Sequence, residues 1–125
     1  MSTSKARSKV QPLSDQEIQQ NYTRFQTDLQ ALAGKIGELE QEAEEHTLVL
    51  STLNDALAEE PDRKCFRLIG GVLVERTVKD VVPALQTNQE GIKKVISTLT
   101  DQIKVKEQDF EAFKRDYNIR VIQRA

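Results

Sequence analysis

Two long heptad runs flank a compact hairpin signal at Lys64 to Thr77, KCFRLIGGVLVERT, and this order leaves the chain few ways to fold. From Ile18 the apolar residues advance by alternating steps of four and three: Ile18, Tyr22, Phe25, Leu29, Leu32, Ile36, Leu39, Ala43, His46, Leu50, Leu53 and Leu57. An a/d seam held for about five heptads is the pattern of a coiled coil, not of a helix lying on a globular core. The second run, Val78, Val82, Leu85, Gln89, Ile92, Ile96, Leu99, Ile103, Lys106, Phe110, Phe113 and Tyr117, keeps the same alternation. Folded back antiparallel, the layers are expected to pair Tyr22 with Tyr117, Leu29 with Phe110, Ile36 with Ile103 and Leu57 with Val82. Each arm would extend about 60 to 70 Å at 1.5 Å per residue. The expected fold class is mainly α, a long antiparallel helical coiled-coil hairpin with a β-hairpin at the bend.

With 38% apolar and 30% charged residues and no Trp, the composition is that of long helices without a compact core. No run of about 18 apolar residues is present, so a membrane span is not expected. A net charge of -2 gives no reason to expect nucleic acid or an anionic membrane as partner. The single cysteine, Cys65, excludes an internal disulfide and suits a reducing compartment.

Five segments are expected. Residues 1–13 are a basic, Ser-rich tail without the apolar stretch of a secretory signal; an import presequence would have only Ala6, Val10 and Leu13 for its apolar face, and a disordered tail is the reading adopted. Residues 14–60 form the first helix, opened by a capping box of Ser14 and Glu17 and closed before Pro61. Residues 61–77 are the β-hairpin, 78–119 the second helix and 120–125 a C-terminal tail. Thr77 or Asp80 caps the second helix, and Pro83 favours a first regular turn no earlier than about Asp80. In the seam, Gln89 should meet Leu50 and Lys106 should meet Leu32 with its ammonium in solvent, polar layers that can fix register.

Gly70-Gly71 tolerates the positive φ angles of a two-residue type I′ turn. Pairing across it puts Cys65, Ile69, Val72 and Val74 on one face with Arg67 and Arg76, and Phe66, Leu68 and Leu73 on the other with Lys64, Glu75 and Thr77. A lone two-stranded hairpin with apolar groups on both faces and two open edges is marginal in water. The candidate assembly residues are therefore Cys65, Phe66, Leu68, Ile69, Gly70, Gly71, Val72, Leu73 and Val74.

Catalysis has almost no candidates. One His and one Cys cannot supply a zinc site of three or four protein ligands, no phosphate-binding glycine loop is present, and no cofactor is expected. His46 at a d position and Cys65 on a strand read as packing residues. The acidic run from Glu38 through Glu45 lacks calcium-loop order and reads as a solvated helix face. The chain is not expected to be an enzyme.

Five of the aromatic residues, Tyr22, Phe25, Phe110, Phe113 and Tyr117, converge at the open end of the antiparallel pair, with Ile18, Ile119, Val121 and Ile122 nearby. They either plug the end of the seam or form an apolar grip for other chains; aromatics fit a/d layers poorly and helix ends fray, which leaves both readings open. A structural tether or scaffold built from the same coil is the competing class of function.

The stretch CFRLIGGVLVERTVKDVVPAL, followed by helical sequence ending FKRDYNIRV, resembles the β-type subunits of the eukaryotic prefoldin family over roughly residues 14–121. A single hairpin between the arms is similar to the β-type, whereas α-type subunits carry two. The resemblance implies a cytoplasmic heterohexamer in which this chain joins two α-type and three further β-type subunits. It further implies that the hairpins build a β-barrel platform and that the tips hold non-native proteins such as actin and tubulin. Those clients would pass to the cytosolic group II chaperonin without ATP. On this resemblance the client-binding tip residues would be Ile18, Tyr22, Phe25, Phe110, Phe113, Tyr117 and Ile119.

Overall fold

The computed structural model describes residues 11–119. In chain order they form α1 (Asp15–Glu59), β1 (Lys64–Ile69), β2 (Val72–Thr77) and α2 (Val78–Asp116). The fold is mainly α, two long helices with an antiparallel hairpin between them. Most of the expected N-terminal tail and residues 120–125, Val121 and Ile122 among them, lie outside the described residues. By internal packing the chain divides into two units, Lys35–Thr98 with the hairpin, and a second from the stretches up to residue 34 and from residue 99. α1 passes through Gly34 and Gly37 without interruption.

The helix ends follow from local chemistry. At the start of α1 the Glu17 amide donates to Ser14 Oγ at 3.1 Å and the Ser14 amide to Glu17 Oε1 at 3.2 Å, a reciprocal capping box. α1 closes with Glu60 N donating to Ala56 O at 2.6 Å, after which Pro61 enters a turn held by Arg63 N to Glu60 O at 3.0 Å. α2 ends in a Schellman motif: Asn118 takes the left-handed conformation at φ 51°, with Ile119 N bonded to Lys114 O and Asn118 N to Arg115 O.

α2 begins at Val78, two residues earlier than Pro83 led us to expect. The reason lies in the connector. Val78 N donates to Arg63 O at 3.0 Å and Lys79 N to Pro61 O at 3.1 Å, so two orphan amides of the first turn find partners outside the helix. Thr77 Oγ1 donates to the Asp80 carboxylate at 2.9 Å, and Lys79 pairs with Asp62 at 2.8 Å. These contacts hold the turn although Pro83 cannot donate to the Lys79 carbonyl.

All twelve seam positions of each heptad run, Tyr117 just past the end of α2 included, are buried or half-buried. In the hairpin unit the core is Leu50, Val78 and Val82, flanked by Leu53, Leu57 and Leu85, with Val78 wholly inaccessible. The register differs from the expected one by about a layer. Phe110, expected opposite Leu29, stacks on Phe25, and Val82 clusters with Leu50, although Leu57, its expected partner, also packs against that cluster. Gln89, expected opposite Leu50, donates its amide to Ala43 O at 3.1 Å and Thr47 Oγ1 at 2.6 Å. Lys106, expected to reach solvent, pairs with Asp28 at 3.2 Å with its side chain 34% exposed. A one-layer slide keeps every apolar residue on the seam, so periodicity cannot choose among registers. The backbone bonds at the bend and the Gln89 amide do choose.

Candidate functional site

The hairpin pairs Lys64 with Thr77 through Ile69 with Val72, an unbroken antiparallel register closed by Gly70 at φ 55° and Gly71 at φ 83°. Both central residues of a type I′ turn need positive φ, which a side chain would strain. The two faces are not equivalent. Cys65, Arg67 and Val74 are half-buried, and Cys65 packs against the Leu50, Val78 and Val82 core. On the opposite face Phe66, Leu68 and Leu73 are 63%, 72% and 67% exposed, with Lys64 and Glu75 paired at 3.6 Å beside them. Ile69 and Val72, next to the turn, are also exposed. The other large exposed apolar residues among those described, Leu48, Val49, Val95 and Val105, stand on the helices. Among the described residues the sheet has two strands, so each strand keeps an outer edge not paired to another strand.

In the other unit the aromatic side chains form one connected stack. Phe110 meets Tyr22 edge-on at 5.1 Å and Phe25 face to face at 5.1 Å; Phe113 lies 5.4 Å from Phe25 and 5.1 Å from Tyr117. Such pairs contribute about 0.5–1.5 kcal/mol beyond their burial. Cations sit against the ring faces: Lys106 Nζ is 5.6 Å from the Phe25 centroid, and Lys114 Nζ is 4.5 Å from that of Phe110 while also 2.7 Å from Glu111. Ile18 and Ile119 are half-buried, like the rings. Beside Phe25, Phe113 and Tyr117 lies an open-sided cavity of about 340 Å³, bordered also by Leu13, Asn21, Arg24, Asp28 and Lys106. Sequence reasoning did not include Leu13, Lys106 or Lys114 in this cluster; for Lys114 a cation four residues beyond Phe110 on one helix was the available signal, whereas Leu13 and the Lys106 contact with Phe25 come from other elements and left no local one.

Chemistry beyond packing has little here to work with. His46 is half-buried with Nδ1 2.9 Å from Glu42 O, Cys65 is a half-buried free thiol, and no group of three or more metal-ligating side chains occurs among the described residues. Among those residues, no helix is long and apolar enough to cross a membrane.

A hairpin inserted between two heptad helices is a specific plan, and the sequence profile of the prefoldin subunit family matches residues 16–124. The chain belongs to the prefoldin subunit family. Prefoldin subunit 2 of Homo sapiens is 43% identical over 110 residues, which span 88% of this chain and 70% of that protein. Probable prefoldin subunit 2 of Schizosaccharomyces pombe is 46% identical over 113 residues, 90% of this chain and 96% of its own. Prefoldin subunit 2 of Saccharomyces cerevisiae is 40% identical over 106 residues, with 85% and 93% covered. As a prefoldin subunit, the chain is a component of a co-chaperone, not an enzyme, and its partners include other prefoldin subunits.

Proposed function

We propose that this prefoldin subunit is an ATP-independent holdase component in the cytoplasm, assembling through its hairpin and gripping unfolded chains with its aromatic cluster. The observation that carries the reading is the division of apolar surface between the two units. Phe66, Leu68 and Leu73 present an exposed strip on a sheet with open edges, a surface suited to strand addition and burial by neighbouring subunits. Ile69 and Val72 add exposed apolar area on the opposite face beside the Gly70-Gly71 turn, the face on which Cys65 packs against the coil core and Val74 is half-buried. The partners would be two α-type and three further β-type subunits.

The grip consists of Ile18, Tyr22, Phe25, Phe110, Phe113, Tyr117 and Ile119, half-buried rings and aliphatic groups beside an open cavity. Surfaces of this kind take apolar side chains of many shapes and suit clients defined by being unfolded. Actin and tubulin before they fold are the clients, and the cytosolic group II chaperonin receives them.

Suppression of aggregation of a denatured client, diluted into the reconstituted complex, tests the grip. Phe25→Ser and Phe113→Ser should lower capture while native mass spectrometry shows the complex intact; the loss is partial because other subunits carry their own tips. Unchanged capture by both variants would reduce the aromatic cluster to a plug for the coil and favour a tether.

A further inference from the structure

The residues just before α1 are seated against the same cavity that the proposed grip offers to clients. Tyr117 Oη donates to the Gln11 carbonyl at 2.6 Å, and Leu13 is half-buried where it borders the cavity with Phe25, Phe113 and Tyr117. Between them Pro12 fixes its own φ and pushes Gln11 toward extended backbone, so the segment presents a free carbonyl and, two residues later, an aliphatic side chain. Neither group is unique to this segment. An unpaired backbone carbonyl two residues ahead of an apolar side chain is what an unfolded polypeptide displays along its length, and what a folded protein has tied up in its helices and sheets.

We infer that Gln11-Pro12-Leu13 is a built-in pseudo-client strap, and that the site it occupies recognises extended backbone: the Tyr117 hydroxyl reads a free carbonyl while Phe25 and Phe113 receive a Leu-sized side chain two residues on. The strap and a client segment compete for the Tyr117 hydroxyl and for the ring faces. The cavity of about 340 Å³ that remains beside Leu13 lies at the small end of the roughly 300–1,000 Å³ range of ligand pockets, which leaves an incoming side chain a place to land before the strap leaves. The inference rests on the aromatic cluster being a grip and adds to it the chemistry of the ligand: main chain in extended form, one aliphatic anchor, no required charge.

The test uses the assembled complex with this subunit full length and its Leu13 methyl groups isotopically labelled for NMR. In the free complex the Leu13 methyl signals should lie upfield of their random-coil positions because of the neighbouring rings, and Tyr117→Phe should move them part of the way back. Adding an uncharged peptide, acetyl-Gly-Gln-Pro-Leu-Ser-Gly-amide, or a denatured client should return them to random-coil positions, and Leu13→Ser should raise the affinity of the complex for that peptide several-fold. Leu13 methyl signals at random-coil positions in the free complex would overturn the strap. Shifted signals that neither peptide nor client displaces would overturn the shared seat. Capture by Phe25→Ser, measured separately, reports whether the grip itself fails.

Discussion

The hairpin and the aromatic cluster are both rich in apolar side chains, yet they dispose of them in opposite ways. Around the hairpin, the core of Leu50, Val78 and Val82 is closed, and the surplus apolar groups Phe66, Leu68 and Leu73 are left facing out on a sheet too small to cover them. In the aromatic cluster no ring is left on its own. Every one is half-buried against another ring or a cation, and the remaining apolar area borders a cavity. A surface that must find one fixed partner can stay open until assembly covers it, whereas one that meets many partners has to stay soluble between encounters. If the aromatic cluster is the client grip proposed above, mutual stacking of rings with Lys106 and Lys114 over them would serve the second need, since it shelters apolar area without removing it from reach.

The sharpest way to break this contrast is Leu73→Asp. In the isolated chain the position is open to water, and helicity by circular dichroism should be unchanged. In the complex the carboxylate would be buried without a partner, a penalty of several kcal/mol, and the subunit should be lost from the assembly by native mass spectrometry. Retention at wild-type stoichiometry would show that the exposed strip faces water in the complex too.

Leu50→Ala should act in the reverse sense. It opens the closed core of the hairpin unit and should destabilise the chain by about 2–5 kcal/mol, read as a lower melting temperature before any partner is added. An effect smaller than that of Phe113→Ser on the same melt would mean that the two units are not distinguished by a closed core.

The smallest effect belongs to the connector. The Lys79 ammonium donates to Asp62, and that hydrogen bond, reinforced by the Asp62 charge, raises the lysine above its ordinary value of 10.5. A raised lysine pKa means stabilisation that is present below the ordinary value and lost as pH rises through the folded one. Asp62→Asn should therefore lower the melting temperature slightly and evenly from pH 6 to 9, with the difference shrinking above about pH 10.5. Both groups are exposed, so moderate salt should erase most of it. A pH-dependent difference near neutrality would point to another group.

What the sequence by itself determined is everything that depends on local periodicity and turn chemistry. The a/d steps mark the seam residues on both helices, Ser14 and Glu17 mark the start of α1, and Gly70-Gly71 marks the turn, because each is decided within a few residues of backbone geometry. Tertiary structure alone decided which layer faces which, that Phe110 stacks on Phe25, and that Gln89 reaches Ala43 and Thr47. It also decided that α2 opens at Val78 on carbonyls of Pro61 and Arg63, and that the Cys65 side of the hairpin turns toward the coil while the Phe66 side does not. The physical reason is the same in each case. A heptad seam looks identical after sliding by one layer, and a hairpin with apolar groups on both faces looks identical after turning over, so long-range contacts must break the degeneracy.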